Sequence, residues 1–313
     1  MNHPLRLIYL FASILSSIFS IDTYAQETNP LEGRWNLIIE QDGKELPSWL
    51  EITHSGNNTL VGRFVYAFGS ARPIAEVKLS DGKFSFTIPP QWEPGTGDMQ
   101  FEGMLNGGEL KGTMVYTDGN TYNWTGSRSP KLAYNENIVW GKPIALFNGK
   151  DLSGWHTEGE SQWAVEEGVL KSPKSGVNLI SDESFSDFKL HVEFRYPEGS
   201  NSGIYLRGRY EVQIADNKGL EPASIYFGGV YGFLDPNEMV AKEAGQWQTF
   251  DITLIGRRVT IVANGSTIVS EQNIPGMTGG AMDNREAEPG PILIQGDHGP
   301  IEFKSIVLTP AKR

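Results

Sequence analysis

The sequence predicts an all-β protein, in which a small antiparallel barrel is followed by a two-sheet jelly-roll sandwich. Its 313 residues include 36 Gly and 18 Pro, and 39% are hydrophobic, which is typical of a chain rich in strands and turns. Short runs of alternating apolar and polar residues recur along the chain, separated by turn pairs such as Asp81-Gly82 and Asn264-Gly265. No apolar stripe of helical period follows the N-terminal segment.

Residues 1–25 have the features of a signal peptide. Arg6 supplies a positive charge, Leu7 to Ile21 form an apolar run, and Thr23-Tyr24-Ala25 places small residues at the outer positions of a cleavage site. An uncleaved membrane anchor is the alternative, but the run is short and is broken by serines. We therefore predict cleavage near Ala25 and Gln26, no membrane span after signal removal, and a periplasmic or secreted protein.

Charge and cysteine content exclude several classes of protein. The formal net charge is −12, so phosphate backbones and anionic lipid headgroups repel the chain, and we expect no nucleic-acid partner. The chain has no Cys, which excludes a lipid-anchored lipoprotein and a disulfide scaffold. A chain of this length can bury a core in each of two domains without disulfides.

Residues 26–130 are predicted to form the barrel, an accessory domain that supports or caps its neighbour. Gly33-Arg34-Trp35 near its start resembles the opening of lipocalin-like barrels, and its four Trp, including Trp92, are expected in the core or at the barrel mouth. A ligand pocket inside the barrel is the alternative, although no cluster of charged residues there indicates chemistry. Eight runs between tight turns predict the strands: Arg34–Glu40, Trp49–His54, Leu60–Tyr66, Ile74–Leu79, Lys83–Ile88, Met99–Leu105, Glu109–Tyr116 and Thr121–Gly126.

Residues 131–143 are polar and end at Pro143, which indicates a linker, so residues 144–313 form the second domain. We expect few contacts across the linker and independent folding of the C-terminal fragment. Ten runs predict the two sheets of a jelly roll: Trp163–Val165, Val169–Lys171, Phe188–Tyr196, Gly203–Ile214, Ile225–Tyr231, Gln248–Ile255, Arg258–Val262, Thr267–Glu271, Pro291–Gln295 and Ile301–Leu308.

The stretch from Asn201 to Ile214 alternates strictly, which predicts one strand, or two strands bent at Gly208, with one face in a core. The apolar face holds Ile204, Leu206, Tyr210, Val212 and Ile214. The polar face holds Tyr205, Arg207, Arg209, Glu211 and Gln213. A row of guanidinium, carboxylate and amide groups predicts the floor of a polar cleft, and the alternative is an exposed strand whose charges pair across the sheet.

A set of motifs between residues 144 and 310 resembles a known family. The motifs run from Phe147-Asn148-Gly149-Lys150-Asp151-Leu152-Ser153-Gly154-Trp155 through Asn201-Ser202-Gly203-Ile204 and Tyr210-Glu211-Val212-Gln213-Ile214 to Gln295-Gly296-Asp297-His298-Gly299. On these motifs the second domain closely resembles the 3-keto-disaccharide hydrolase family. The resemblance implies a concanavalin-like jelly-roll fold, and it does not extend to the barrel.

The resemblance implies an enzyme that cleaves 3-keto-glycosides, which are glycosides whose C3 hydroxyl has already been oxidised to a ketone. The ketone acidifies the proton on C2, so a base can remove that proton and the leaving group at C1 can depart by elimination, with rehydration afterwards. Such a site needs a proton acceptor, a proton donor and a group that stabilises the enolate. It does not need the closely spaced carboxylate pair of a retaining glycosidase.

Glu211 and His298 are the predicted catalytic residues, and we expect them to share the proton transfers. Glu211 shares a strand face with Arg207, and the glycine-flanked loop that carries His298 can converge on that face. A carboxylate held by Arg stays ionised, and a histidine that titrates near neutrality can both accept and donate a proton. The predicted substrate-binding residues are Glu193, Arg195, Asn201, Tyr205, Arg207, Gln213, Gln295 and Asp297.

Several of these side chains also have a structural interpretation. Glu211 could be only the salt-bridge partner of an arginine, and His298 could stabilise a turn. The row of His191, Glu193 and Arg195 could lie on the convex surface of the sandwich.

A divalent metal ion is left open as a cofactor, since no spacing in the chain is diagnostic of one. Its ligands would come from His191, Glu193, Glu211, Asp297 and His298. Two rival functions are a carbohydrate-binding β-sandwich, which favours an exposed aromatic platform, and a conventional glycoside hydrolase, which needs two carboxylates across one bond. A glucoside and its 3-keto counterpart, tested side by side, separate the three functions.

Overall fold

A computed structural model describes residues 29–135 and 137–312 of the chain. These ranges consist of strands, turns and irregular segments and contain no helix, which confirms the predicted all-β class. The predicted signal peptide and its cleavage site lie outside the described residues and stay predictions. Within the described part of the chain, no helix is long and apolar enough to cross a membrane.

The first eight strands form a closed antiparallel barrel, in which each strand pairs with the next and β8 pairs back with β1. Each strand contains or overlaps one of the runs predicted from the alternation, so the small barrel is confirmed. The strands are β1 (Gly33–Gln41), β2 (Lys44–Ser55), β3 (Thr59–Val65), β4 (Arg72–Ser80), β5 (Lys83–Ile88), β6 (Met99–Asn106), β7 (Glu109–Val115) and β8 (Thr121–Arg128).

Aromatic side chains fill the interior of the barrel. Phe86 and Phe101 stack with their ring centroids 4.7 Å apart. Trp124 lies against Gly103 and Gly112, where a Cβ atom would clash with the indole. A barrel of this size is normally filled by its own side chains. These rings therefore occupy the space where the alternative of an internal ligand pocket would have placed a ligand.

The remaining strands form a sandwich of two sheets, as predicted. They are β9 (Ile144–Ala145), β10 (Trp155–His156), β11 (Ala164–Glu166), β12 (Val169–Ser172), β13 (Leu179–Phe185), β14 (Phe188–Arg195), β15 (Asn201–Leu206), β16 (Tyr210–Ala215), β17 (Gln248–Ile255), β18 (Arg258–Ala263), β19 (Ser266–Asn273), β20 (Gly290–Ile294) and β21 (Ile301–Pro310). A five-stranded sheet has the order β10-β13-β20-β15-β16. The other sheet has the order β11-β12-β21-β14-β17-β18-β19, and its eighth strand, β9, also pairs with β21.

The core of the sandwich lies between these two sheets. Alternate residues of each strand enter it, for example Leu190 and Val192 from β14 and Ile204 and Val212 from β15 and β16. Burying an aliphatic side chain of this kind stabilises the fold by about 1.5–3 kcal/mol. The opposite residues of each strand therefore face outward, and the outward face of the five-stranded sheet carries the site described below.

The sandwich differs from the predicted strands in several places, and the short strands β9 and β10 lie outside every predicted run. Ile225–Tyr231 is a series of turns with isolated bridges at Val230, and Gly228 within it has a φ of 79°, which a regular strand does not accommodate. No predicted run covers strand β13. Its buried and exposed residues do not alternate, and its pairing with β20 is irregular between Ile180 and Ser184.

The barrel packs directly against the sandwich. Trp49 and Val65 of the barrel form a small buried cluster with Met277, and the ring of Trp49 meets the edge of Phe233 at a centroid distance of 5.1 Å. Gly276 lies so close to Trp49 that a Cβ atom would clash with the indole. The polar linker led us to expect few contacts between the barrel and the sandwich, whereas the structure shows a buried cluster between them. The domain boundaries and the independent folding of the C-terminal fragment stay predictions.

Candidate active site

The hairpin of β15 and β16 forms the floor of the site. Its register sets Tyr205 opposite Glu211 and Gly203 opposite Gln213. These residues face away from the core between the sheets, because the side chains of a strand alternate. Gly203 makes room for the catalytic candidate, since a Cβ atom at this position would clash with the Glu211 carboxylate.

The chain reverses at the position where the sequence allowed a bend. Arg207 and Gly208 have φ angles of 55° and 66°, and the tight turn they form joins the two strands. Leu206 pairs directly with Tyr210, so the alternation stays in phase across the turn. The apolar face predicted from the sequence is therefore one continuous face of the hairpin.

Both arginines of this turn leave the polar face. Arg207 donates a hydrogen bond to the Tyr210 hydroxyl at 3.0 Å, and Arg209 donates to the Asp283 carboxylate at 2.7 Å. The prediction that an arginine keeps Glu211 ionised is therefore wrong, because the turn directs the guanidinium groups to other partners. Arg207 consequently lies outside the cavity that Glu211 lines.

Glu211 is buried, and its carboxyl group lies 2.9 Å from the Tyr205 hydroxyl, which in turn lies 3.0 Å from the carbonyl of Gly279. Burial raises the pKa of Glu211 to about 8, although the hydrogen bond from Tyr205 and the charge of His298 act in the opposite direction. Glu211 is therefore mostly protonated at neutral pH. The Tyr205 hydroxyl lies within hydrogen-bond distance of both the Glu211 carboxyl and the Gly279 carbonyl, and its single proton can be donated to only one of them at a time.

The loop that follows β20 carries Asp297 and His298 to the same face. Nδ1 of His298 lies 2.6 Å from Oδ1 of Asp297, and both side chains are about half exposed. The hydrogen bond to Asp297 raises the pKa of His298, against the opposing effect of partial burial. The charges of Glu211 and His298 act on each other. The two predicted catalytic residues are thus brought together.

Three amide side chains complete the polar surface. Gln213 Nε2 donates to Asn201 Oδ1 at 3.1 Å across the hairpin. The Oε1 atoms of Gln213 and Gln295 are buried and have no hydrogen-bond partner within residues 29–135 and 137–312. A buried carbonyl oxygen without a donor carries a free-energy cost, which the hydroxyl of a bound ligand can remove.

These side chains line one cavity of about 520 Å³, a volume typical of small-molecule sites. It brings together seven of the predicted residues: Asn201, Tyr205, Glu211, Gln213, Gln295, Asp297 and His298. It also includes residues that the sequence analysis did not assign to the site: Asn178, Tyr231, Gly279 and Gly280 from the sandwich, and Phe68, Gly69 and Trp92 from the barrel.

Glu193 and Arg195 do not belong to this cavity. They lie on β14, which is part of the other sheet, and there Glu193 accepts a hydrogen bond from Lys304 at 3.0 Å while Arg195 pairs with Glu302. The structure thus separates these two residues from the other predicted site residues, because alternation alone cannot tell which of two sheets a strand enters; that they bind substrate is not supported by this placement. The structural interpretation of this row, a paired surface, is the one the structure bears out.

The side chains considered as metal ligands are also divided between the sheets. His191 lies on β14 and pairs with Asp251 at 2.7 Å, whereas His298 lies on the cavity side. Among the residues that the structure describes, no group of three or more His, Asp or Glu side chains is arranged to hold a metal ion.

A family model describing a 3-keto-alpha-glucoside-1,2-lyase-like domain matches residues 142–309. The chain belongs to this family. The match spans the whole sandwich, including the hairpin and the His298 loop, and agrees with the boundaries that the motifs indicated. The barrel lies outside it.

Individual relatives of this lyase-like domain are distant. A curated 3-keto-disaccharide hydrolase from Bacteroides thetaiotaomicron is 34% identical over 98 residues, covering 26% of this chain and 33% of the relative. The chain therefore spans about a third of the length of that protein. Two solved structures of candidate glycosyl hydrolases from Parabacteroides distasonis are also similar. One is 25% identical with a TM-score of 0.45, covering 57% of this chain and 93% of its own. The other is 22% identical with a TM-score of 0.43, covering 54% and 98%.

The residues that the sequence analysis missed had weak signals in the sequence. The pair Gly279-Gly280 indicates a close approach of backbones, and a Cβ atom at Gly280 would indeed clash with the Tyr205 hydroxyl. Trp92 was expected in the core or at the mouth of the barrel, and the structure places it on the wall of the cavity, outside the barrel core. Phe68 and Gly69 had no signal, since nothing local marks a barrel loop as the neighbour of a distant sheet.

Proposed function

We propose that the chain is an exported enzyme that cleaves 3-keto-glycosides, in particular 3-keto-disaccharides, by proton abstraction at C2 and elimination at C1. The observation that carries this proposal is the cavity that the buried Glu211 carboxyl and the Asp297–His298 pair line together. Membership of the lyase-like family supports it, and so does the similarity to the Bacteroides relative, a 3-keto-disaccharide hydrolase.

The reaction balances without an external oxidant or reductant. A base takes the proton from C2, the C3 carbonyl becomes an enolate, and the electron pair then forms the C1–C2 double bond as the C1–O bond breaks. The departing oxygen receives a proton from an acid. Water then adds its hydroxyl to C1 and a proton returns to C2, so that the sum of the two halves is hydrolysis.

His298 is the base of the first half in this proposal. Asp297 accepts the Nδ1–H, which leaves Nε2 free to take the C2 proton and raises the basicity of the ring. Glu211 is the acid, because its raised pKa keeps a proton available at neutral pH for the departing oxygen. In the second half the roles reverse: Glu211 takes a proton from water and His298 returns one to C2.

The amide side chains bind the sugar. Oε1 of Gln213 and of Gln295 would accept hydrogen bonds from hydroxyl groups of the oxidised ring, since both oxygens are buried and unpartnered in the described residues. Their N–H groups and that of Asn201 supply donors of the kind that stabilise an enolate oxygen. Tyr205 positions Glu211 through its hydroxyl.

A conventional glycoside hydrolase is the second candidate, because the cavity holds a second carboxylate. Asp297 is close enough for its charge to act on Glu211, and a protonated acid beside an ionised carboxylate is the arrangement that glycosidases use. Against this candidate, Asp297 is engaged by His298 at 2.6 Å. A carbohydrate-binding module is the third candidate, and such a module would bind the sugar without turnover.

One assay separates the three functions. The protein is incubated with a glucoside and with the matching 3-keto-glucoside, and the released aglycone is measured. We expect cleavage of the 3-keto form only. Cleavage of both forms would establish a conventional hydrolase, and binding without cleavage of either would establish a binding module. In heavy water the product of the proposed reaction carries deuterium at C2, and an unlabelled product would exclude proton abstraction at that carbon.

Export is tested separately. We expect the mature protein to begin at or near Gln26 and to fractionate with soluble periplasmic or secreted proteins. N-terminal sequencing of the natively expressed protein checks this, and an intact Met1 in the membrane fraction would contradict it.

A further inference from the structure

The walls of the cavity differ in chemistry according to the part of the fold that supplies them. The carboxyl, imidazole and amide groups all come from the sandwich, whereas the barrel contributes Phe68, Gly69 and Trp92. Trp92 is 67% exposed and Phe68 is 40% exposed, although both are large aromatic residues. An exposed aromatic pair at the edge of a polar cavity is unusual for a surface that has no ligand.

The loop that presents Trp92 is firmly held. The buried carboxylate of Glu93 accepts hydrogen bonds from the backbone N–H groups of Gln91 at 2.7 Å and of Trp92 at 3.1 Å. The same carboxylate pairs with Arg72 at 2.8 Å, and Arg72 also donates to the carbonyl of Pro89 at 2.8 Å. The backbone on both sides of Trp92 is therefore fixed, while its indole, which also contacts the Tyr231 side chain, lines the cavity.

The Phe68 segment is tied both to this loop and to the sandwich. The backbone N–H of Ser70 donates to the Gln91 side chain at 2.9 Å. On the other side, the N–H of Gly280 donates to the carbonyl of Ala67 at 2.7 Å. A Cβ atom at Gly279 would clash with the backbone of Gly69, which shows how closely these two segments of the chain approach each other. The aromatic wall is thus a fixed part of the site.

We propose that Phe68 and Trp92 form a subsite for the leaving group, and that this leaving group is a sugar ring or another ring with an apolar face. The inference rests on the proposed function. The oxidised ring must lie against the sandwich, because the groups that transfer protons and bind its hydroxyls are there. The leaving group needs only one proton from the groups of the sandwich. The remaining wall of the cavity is a flat aromatic surface, on which the C–H face of a pyranose can stack. The barrel thereby determines which glycosides the enzyme prefers.

The test compares two substrates with three variants of the full chain. The substrates are a 3-keto-glucoside with a methyl leaving group and one with a glucosyl leaving group. The variants are Trp92→Ala, Phe68→Ala and, as a control, Leu79→Ala, which removes another exposed apolar side chain of the barrel, outside the cavity. For the disaccharide we expect Trp92→Ala to lower kcat/KM about tenfold, mainly through KM, and Phe68→Ala to lower it less. The methyl glycoside should lose less than threefold, and the control should match the wild type on both.

Equal effects of Trp92→Ala on both substrates, or no effect on either, would overturn the leaving-group subsite while the proposed function stands. If the wild type cleaves neither 3-keto-glycoside, the proposed function fails instead. Calorimetric titration then decides the subsite alone, with a disaccharide and the methyl glycoside of the same sugar as probes. Weaker binding of the disaccharide but not of the methyl glycoside to Trp92→Ala supports the subsite, and unchanged binding or no binding of the disaccharide overturns it.

Discussion

Two strand rows of the sandwich look alike in sequence and differ completely in the folded protein. On β14, His191, Glu193 and Arg195 alternate with buried apolar residues. On the hairpin, Tyr205 and Glu211 alternate in the same way. The β14 row forms ion pairs at the surface, whereas the hairpin row is buried beneath the segment that contains Gly279 and Gly280.

The difference comes from what covers each outward face. Alternation determines which side chains share a face, but burial of that face depends on segments far away in sequence. The carbonyl of Gly279 lies over Tyr205, and the barrel packs behind it. Burial raises the pKa of Glu211, whereas the partly exposed Glu193 is paired with Lys304. Chemistry is therefore expected on one row only.

The largest effect is expected when the histidines of the two histidine–aspartate pairs of the sandwich are replaced one at a time and the effects on turnover are compared. His298 lies 2.6 Å from Asp297 and His191 lies 2.7 Å from Asp251, and both histidines are partly exposed. His298→Ala should lower turnover of a 3-keto-disaccharide by about 10²–10⁴, the usual contribution of a general acid–base residue. His191→Ala, the matched control, should stay within about twofold because it alters only a surface ion pair. Steady-state kinetics measure both, and near-normal turnover of His298→Ala would remove that residue from the chemistry.

The next effect concerns stability and compares Glu211→Gln with Glu193→Gln. In the unfolded chain Glu211 loses its proton near pH 4.5, whereas in the folded protein it keeps the proton to about pH 8. The unfolded state is thus favoured progressively as pH rises through this window, and the loss of folding stability is complete above pH 8. By pH 8 this amounts to about 4 kcal/mol, which Glu211→Gln avoids.

Urea unfolding at pH 5 and pH 8 checks this expectation. The difference in unfolding free energy between Glu211→Gln and wild type should grow in favour of the variant as pH rises. Glu193→Gln should show no such growth, since that carboxylate is ion-paired at the surface. A Glu211→Gln variant that is equally destabilised at both pH values would mean that the carboxylate is ionised in the folded protein.

Much of the fold followed from local patterns. The eight barrel strands each contain or overlap a predicted run, since tight turns and period-two alternation act within a few residues. The bend at Gly208 was one of two alternatives, because a glycine marks a permitted turn without requiring it. Long-range pairing decided the rest: the placement of β14 in the other sheet, which removed Glu193 and Arg195 from the site, is visible only once both sheets are assembled.

The candidate site was predictable where its residues share one hairpin or one loop. Glu211 and Gln213 share a strand face, and His298 lies in a glycine-flanked loop, so their convergence could be expected. The hydrogen-bond partner of Glu211 could not be predicted. The backbone at Arg207 has a positive φ, and its guanidinium group binds the Tyr210 hydroxyl instead of Glu211. The contribution of Trp92 depends on how two separate folds pack, which no local pattern records.

A smaller effect, on the pH dependence, separates the roles of Glu211 and His298 in the active protein. The pKa of His298 is raised above its ordinary value of 6.5, and that of Glu211 lies at about 8. To act as the general base, His298 must be deprotonated, and to act as the general acid, Glu211 must be protonated. We therefore expect kcat/KM to rise with pH through the pKa of His298 and to fall above about pH 8, tenfold per pH unit on each limb.

The limbs of this profile can be assigned by substitution. Residual activity of His298→Ala should lack the lower limb, and that of Glu211→Gln should lack the upper one. Lys304→Met on the β14 side is the control and should leave both limbs in place. If the upper limb persists in Glu211→Gln, another group supplies the proton to the leaving oxygen.

The smallest expected effect lies in the surface pair of Glu193 and Lys304, whose nitrogen and oxygen atoms are 3.0 Å apart. Lys304 is 54% exposed, so water and salt screen the attraction, and fixing two long side chains costs conformational entropy. A double-mutant cycle of Glu193→Gln and Lys304→Met, measured by urea unfolding, should therefore give a coupling free energy of about 0.2–1 kcal/mol. The coupling should fall further in 1 M salt, where the Debye length is about 3 Å. A coupling of several kcal/mol that resists salt would mean that the β14 face is covered in the native protein, and the contrast between the two rows would then lose its basis.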